Sequence, residues 1–228
     1  MERALTSEDG ARGVDALVFA AGDSACRDAR RFGVRDRVTV ICADAGVERC
    51  CAAGLAPDIV VGDFDSVCPA ILEKARLGGA RIVQHPVCKD ETDLDLALAI
   101  AIEVGARSVI VSGVTGGRID HTLANLEVCM RYARDGLRLC VVEEWGEAYF
   151  VAGRSRSVDI CGRPGEIVTV MASAPEALGV RTAGLLYPLR AETLPWGASR
   201  GVSNLMTHVQ ATVEAREGNL LVIHLLHG

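Results

Sequence analysis

Between residues 16 and 142 the chain repeats one pattern, a short apolar run followed by a stretch with helical spacing, and few architectures accommodate that repeat. The apolar runs at 16–21, 38–43, 59–61, 81–84, 108–112 and 137–142 predict strands. Between them, residues 24–32, 47–53, 69–77, 93–104 and 120–134 predict helices. In the last of these Leu123, Leu126, Met130 and Ala133 fall at steps of three and four, the spacing of one buried face. Alternation of this length indicates an α/β fold, a parallel sheet covered by helices on both sides. Ligands in such folds bind beyond the carboxyl ends of the strands.

After residue 151 the helical spacing disappears. Short runs at 157–160, 167–172, 207–216 and 220–225 are separated by Gly, Pro and Asn. His208, Gln210, Thr212, Glu214 and Arg216 alternate with Val209, Ala211, Val213 and Ala215, the period of a half-buried antiparallel strand. The expected organisation is a tail at 1–14, an α/β domain at 15–150 and a small antiparallel β-sandwich at 151–228.

Composition removes several classes of function. The longest uncharged apolar run, 96–102, is too short to cross a bilayer, and the mixed-charge, polar start is not expected to act as a secretory signal. A net charge of −6 argues against a general nucleic-acid binder. The nine cysteines include no C-x-x-C pair, which predicts reduced, buried thiols in a cytoplasmic protein rather than a disulfide framework.

The acids are concentrated. Residues 41–95 hold ten of them against five bases, and they fall after predicted strands. Asp63 and Asp65, two apart after an apolar strand and a glycine, can present two hard oxygens to one volume, as Mg2+ requires, or can be two solvated loop acids. Asp90 and Asp93 flank Thr92, itself a good N-cap, so part of that segment reads equally as a well-started helix. Lys89 beside them is one of two lysines among 24 basic residues, and a compact ammonium suits phosphate. Gly116 and Gly117 lead into Arg118, Asp120, His121 and Asn125, a glycine turn opening a helix where backbone N–H groups receive anions. Asp44, before Gly46, repeats the theme of strand, acid, glycine and helix. Carboxylates gathered along one sheet edge repel unless a cation intervenes, and Mg2+ carrying a nucleoside triphosphate resolves that.

Taken in order, Gly62-Asp63-Phe64-Asp65-Ser66, Asp90-Glu91-Thr92-Asp93 and Gly116-Gly117-Arg118-Ile119-Asp120-His121 with Asn125 closely resemble the thiamine pyrophosphokinase family. Ala43-Asp44-Ala45-Gly46 is similar to a further motif of that family, with Ala45 in place of a glycine. Thr182, Gly184, Leu185, Tyr187 and Leu189, and then Gly201-Val202-Ser203-Asn204, resemble stretches that form the thiamine pocket. Tyr187 stands where relatives often carry Trp, and Leu205 where many have an acid. The likeness covers roughly residues 15–226.

The resemblance implies a nucleotide-binding α/β domain, a β-sandwich and a homodimer with thiamine sites at the subunit interface. It implies transfer of the β,γ-diphosphate of ATP to the hydroxyethyl group of thiamine, giving thiamine diphosphate and AMP. Asp63, Asp65, Asp90 and Asp93 would hold Mg2+, with Asp44 a nearby ligand or hydroxyl orienter. Asp93 or Asp65 would accept the alcohol proton. Lys89, Arg118 and the amides near Gly116 and Gly117 would contact phosphate. Ser203 and Asn204 would meet the aminopyrimidine, with Tyr187 or Trp196 offering an aromatic face to the cationic vitamin. Rival readings are a pyrophosphokinase acting on another alcohol such as a hydroxymethyl pterin, a two-metal phosphoesterase, and a non-catalytic sensor.

Overall fold

The computed structural model describes residues 13–33, 38–88, 90–173 and 175–226, so Lys89 lies outside the described residues. The chain forms two compact units, one of residues 13–132 and 137–144 and the other built mainly of residues 145–228. Among the described residues no helix is long and apolar enough to cross a membrane.

The first unit is a parallel sheet with strands β1 (Ala16–Phe19), β2 (Thr39–Ala43), β3 (Ile59–Gly62), β4 (Arg81–Gln84), β5 (Ser108–Ser112) and β6 (Arg138–Glu143). Their order is β6-β5-β1-β2-β3-β4. Strands β1, β3 and β5 lie within a residue or two of the sequence expectation because they are continuous apolar runs, the mark of strands covered on both faces. β4 closes one edge and exposes Arg81 and Gln84. The chain builds outward from β1 to β4, then returns to place β5 on the other side of β1. This reversal puts a topological switch point between β1 and β5.

The helices are α1 (Gly46–Ala52), α2 (Pro69–Leu77), α3 (Asp93–Glu103) and α4 (Ile119–Arg134). Leu94, Ala97, Leu98 and Ala101 make the buried stripe of α3, which packs over β1, β2 and β3. Thr92 caps α3 by accepting the Asp95 N–H at 3.2 Å. Two helical expectations need correction. Residues 24–32 form only a 3-10 turn, Ala29–Phe32, because the backbone before it bonds elsewhere: Ser24 N–H to the Thr115 carbonyl, Cys26 N–H to the Ser112 hydroxyl. Phe32 from this turn meets Phe19 edge-on, ring centres 5.5 Å apart. In α4, Cys129 and Met130 are the buried residues, whereas Leu123 is 58% exposed. Periodicity identifies a face but not how far along the helix that face is covered.

The second unit is antiparallel. Two sixteen-residue strands, β7 (Gly146–Cys161) and β12 (Gln210–Leu225), pair along their whole length. The other edge of β12 pairs first with β9 (Glu176–Ala183) and then with β8 (Ile167–Ala172). β10 (Arg190–Pro195) extends β9, and the two-residue β11 (Asn204–Leu205) pairs with β8. The two sequence runs at 207–216 and 220–225 are therefore one strand, continuing through Gly218 at φ 102°. Ala211, Val213 and Ala215 are buried and Gln210, Glu214 and Arg216 exposed, as the period of two required. Inside this unit the buried His224 ring meets Glu166 at 2.8 Å, tying β12 to the turn before β8.

None of the nine cysteines is joined in a disulfide. Cys26, Cys42, Cys50, Cys129 and Cys140 are buried, and burial pushes the thiols of Cys42 and Cys129 upward, as inert core thiols require. Cys51, Cys68 and Cys88 are exposed and Cys161 is half-buried, so the expectation of buried thiols holds for five of the nine.

Gly46 shows how closely the parts of the first unit approach. A Cβ there would fall 2.0 Å from the Phe19 carbonyl oxygen, so α1 docks on the end of β1 only because that side chain is absent. Gly46→Ala gains about 1 kcal/mol of helix propensity but drives an atom into rigid backbone, which costs more. The expected net loss is about 2 kcal/mol, or a fall of ~4–8 °C in thermal midpoint for a chain of this size. Circular dichroism melts of the two proteins check this, and an unchanged midpoint contradicts it.

Candidate active site

β2 and β3 run side by side in parallel, with Ala43 opposite Val61, so the residues that follow them emerge together at the carboxyl edge. Asp44 turns the chain there with φ 47°, while Ala45 sits at φ −61°. The left-handed position is thus filled by an aspartate, a residue that tolerates it, and Ala45 needs no glycine.

Asp44 is 6% exposed, and its carboxylate gathers the loop after β3. Oδ1 accepts the Phe64 N–H at 3.1 Å, and Oδ2 accepts the Ser66 hydroxyl. Asp63 Oδ1 accepts the Asp65 N–H at 3.1 Å. These bonds fold residues 63–66 over Asp44. One oxygen from each of Asp44, Asp63 and Asp65 then lies within 4.8 Å of the others.

Three carboxylates this close repel one another. The charge of Asp63 lifts the Asp65 carboxyl above its usual range, with partial desolvation, Asp44 and Asp93 adding to the effect. Asp93 at the start of α3 is therefore electrostatically part of the cluster. Three hard oxygens at a solvent-open strand edge suit a divalent cation that completes its shell with water or phosphate oxygens. Among the described residues this is the group of acidic, His or Cys side chains arranged to hold a metal, and Asp90 is an exposed residue outside it. Asp95 has a different task. It accepts the Tyr132 hydroxyl at 2.7 Å and pairs with Arg131 at 2.6 Å, joining α3 to α4.

The glycine turn lies across the switch point. Gly22 N–H donates to the Gly113 carbonyl at 2.8 Å and Ser24 N–H to Thr115 at 3.2 Å, so the turns after β1 and β5 are joined backbone to backbone. Gly116 has φ 105°, and a Cβ there would stand 2.8 Å from the Asp23 nitrogen, so both conformation and space require glycine. On the other side, Glu143 at the end of β6 is fully buried. Its Oε2 accepts the Gly113 N–H at 2.9 Å, and its Oε1 accepts those of Val114 at 2.7 Å and Thr115 at 3.0 Å. Burial pushes this carboxyl upward, and the amide bonds oppose that.

Beyond the turn, Arg118 pairs with Asp120 at 2.5 Å, and the guanidinium holds that carboxyl down to about 2. Asn125 donates to the Val114 carbonyl at 3.2 Å, steadying the turn from α4. Gly117, Arg118 and His121 are exposed. The acids after consecutive strands are not all neighbours, as the sequence suggested: β1 separates β5 from β2, so the turn at 113–117 lies two strands from Asp44. Glu143 and Ser66 were not recognised as functional in the sequence. An acid closing the apolar run Leu-Cys-Val-Val, the first of the pair Glu143-Glu144, was the available signal for Glu143.

In the second unit, Asn204 is buried and uses both ends of its amide on one neighbour. Oδ1 accepts the Tyr187 N–H at 3.0 Å, and Nδ2 donates to the Tyr187 carbonyl at 2.7 Å. Asn204 thus holds the Tyr187 segment in place. Ser203 is exposed with φ 56°, its N–H donating to Thr169 Oγ1 at 3.0 Å. Tyr187 and Trp196 are 57% and 75% exposed.

Residues 34–141 match the family described as thiamin pyrophosphokinase, catalytic domain. The chain is 24% identical to the thiamine pyrophosphokinase of Bacillus subtilis over 180 residues, 79% of this chain and 84% of the relative. It is 25% identical to thiamine pyrophosphokinase 1 of Arabidopsis thaliana over 182 residues, 74% of this chain and 66% of the relative. The crystal structure of the Bacillus subtilis enzyme superposes with a TM-score of 0.82 at 22% identity, covering 94% of this chain and all of that one. That from Candida albicans gives 0.76 at 14%, covering 92% and 90%. Its motifs and its acidic strand edge agree with these likenesses: the chain is similar to the thiamine pyrophosphokinase family, most clearly across residues 34–141, and shares the fold of its solved structures.

Proposed function

We propose that the chain transfers diphosphate from ATP to the hydroxyethyl group of thiamine, releasing thiamine diphosphate and AMP. The observation that carries this is the convergence of Asp44, Asp63 and Asp65 at the carboxyl edge of a family-typical sheet. Phosphoryl transfer asks an enzyme chiefly to position reactants and offset charge. A bound Mg2+ supplies Lewis-acid charge neutralisation on the phosphate oxygens. Asp44, Asp63 and Asp65 would hold it, with Asp93 adding negative field, and Asp90 belongs to the wider family set. The hydroxyl proton would pass to Asp65 or Asp93. Arg118, Lys89 and the amides near Gly116 and Gly117 would meet the triphosphate, with Asp120, His121 and Asn125 shaping that side.

In this reading residues 15–150 are the nucleotide-binding domain and 151–228 a β-sandwich that recognises the vitamin through Ser203, with Asn204 holding Tyr187 in place and Trp196 exposed nearby in sequence. Exposed Tyr187, Trp196 and Val202 supply apolar surface for a homodimer partner. A reducing cytoplasm suits nine cysteines without disulfides.

Incubation with ATP, Mg2+ and thiamine is expected to yield AMP and thiamine diphosphate in equal amounts. AMP formed with a hydroxymethyl pterin and not with thiamine, or steady phosphate release from simple phosphoesters, overturns the reading.

The cation site has its own test. Because the Asp65 carboxyl is raised in the folded protein, proton uptake favours folding at low pH, and that contribution is lost as pH rises through the raised value. Mg2+ should therefore raise the thermal midpoint at neutral pH and lose its effect in acid. Asp63→Asn and Asp65→Asn are each expected to abolish the Mg2+ increment and to lower turnover by ~10²-fold or more, the scale of charge stabilisation by one metal. Near-normal turnover in both, with the Mg2+ increment retained, contradicts the assignment.

Asn204→Ala leaves the Tyr187 N–H and carbonyl without their partner, at a cost of about 1–3 kcal/mol. Steady-state kinetics should show a raised KM for thiamine and an unchanged KM for ATP. Equal effects on both substrates would show that Asn204 supports the fold generally.

A further inference from the structure

We infer that Glu143 is a positioning residue for the nucleotide, an internal anion that shapes the turn at 113–117 so that the amides beyond it face the phosphates. This inference rests on the reading of ATP as donor.

Helix-opening glycine turns bind phosphate because consecutive N–H groups converge on one point. In this chain the first three such groups do converge, but on the Glu143 carboxylate. The Gly113, Val114 and Thr115 amides are thus already engaged by a fully buried protein oxygen pair, and a substrate phosphate cannot also occupy them. What remains for substrate is the later part of the turn, Gly116 and Gly117, whose direction depends on how the first part is fixed.

The fixing is done from both sides. β5 lies between β1 and β6, so its exit turn has one neighbour at each flank. On the β1 side the restraint is backbone bonding to Gly22 and Ser24. On the β6 side it is Glu143, which itself sits opposite Ala25 and has its carbonyl held by Arg31 Nη1 at 2.6 Å. Ser112 Oγ adds a parallel link, donating to the Val142 carbonyl at 2.6 Å and accepting the Cys26 N–H at 2.8 Å. Ser112 would hold the strand end without Glu143, but no other described side chain gathers the three turn amides. A buried carboxylate with no such task would be a severe burden on folding.

Glu143→Gln tests this with minimal change of shape. A Gln oxygen at the Oε1 position keeps the Val114 and Thr115 bonds, while its NH2 faces the Gly113 N–H, donor against donor. The expected result is a rise of about tenfold in KM for ATP, the scale of one charged hydrogen bond, with kcat and the KM for thiamine little changed. Amide hydrogen exchange at residues 113–117 should accelerate while the rest of the sheet stays protected. Glu143→Ala, where it remains soluble, should show larger changes in the same two readouts. Unchanged KM for ATP together with unchanged exchange in Glu143→Gln overturns the inference, as does a uniform loss that follows only the folded fraction. Wild-type protein that makes no AMP from ATP and thiamine would defeat the donor assignment instead, and the exchange experiment would still report whether Glu143 anchors the turn.

Discussion

Like-charge repulsion at one edge of a parallel sheet is the constraint around which the first unit is arranged. Register brings Ala43 opposite Val61, and any acids placed just after those residues must meet. The chain accepts this and increases it, since Asp44 draws residues 63–66 inward until Asp65 joins Asp63. Such an arrangement lowers stability unless a cation offsets it. Its persistence in a scaffold otherwise made of buried Val, Ile and Ala marks the edge as the place where binding, rather than folding, sets the choice of residue.

Two negative groups of different kinds are held by backbone amides or hydroxyls, and they serve different ends. Glu143 is enclosed, so its charge is directed entirely at the turn after β5. Asp44 is nearly enclosed, and its two oxygens fix a loop while still lying within reach of a shared cation. In each case a strand end supplies the acid and a neighbouring strand supplies the donors. Precision then derives from the sheet, the stiffest part of the unit, and only the outermost groups are left to adapt to a ligand.

The strands of the first unit were legible because uninterrupted apolar runs bounded by Gly and Asp have few other interpretations. α2 and α3 were legible through Pro69 and the Thr92 cap. The stretch at 24–32 misled because local spacing cannot report that Ser24 and Cys26 bond to residues near 112–115. Of the site, Asp44, Asp63 and Asp65 could be named from motifs, but their grouping depends on parallel register, and Asp90 falls outside that group for the same reason. Glu143 was hidden because its partners are main-chain amides, which leave no trace in side-chain patterns. Asn204 could be named, yet its hold on the Tyr187 backbone is a long-range pairing that sequence does not encode locally.

In the proposed reaction the same edge would receive a polyanion, and its own charges set the terms. Arg118 is already offset by Asp120, so pairing within the protein has used part of the positive charge available beside the glycine turn. Asp44, Asp63 and Asp65 gather on one side with Asp93 in electrostatic reach, and the repulsion that lifts Asp65 shows how much negative charge is concentrated there. At separations of a few ångströms the Coulomb cost of bringing a triphosphate to such a surface is several kcal/mol even at an intermediate dielectric. In the proposed reaction the nucleotide and a divalent ion would therefore not be independent ligands: each would lower the cost of the other, and by reciprocity the coupling would act equally in both directions.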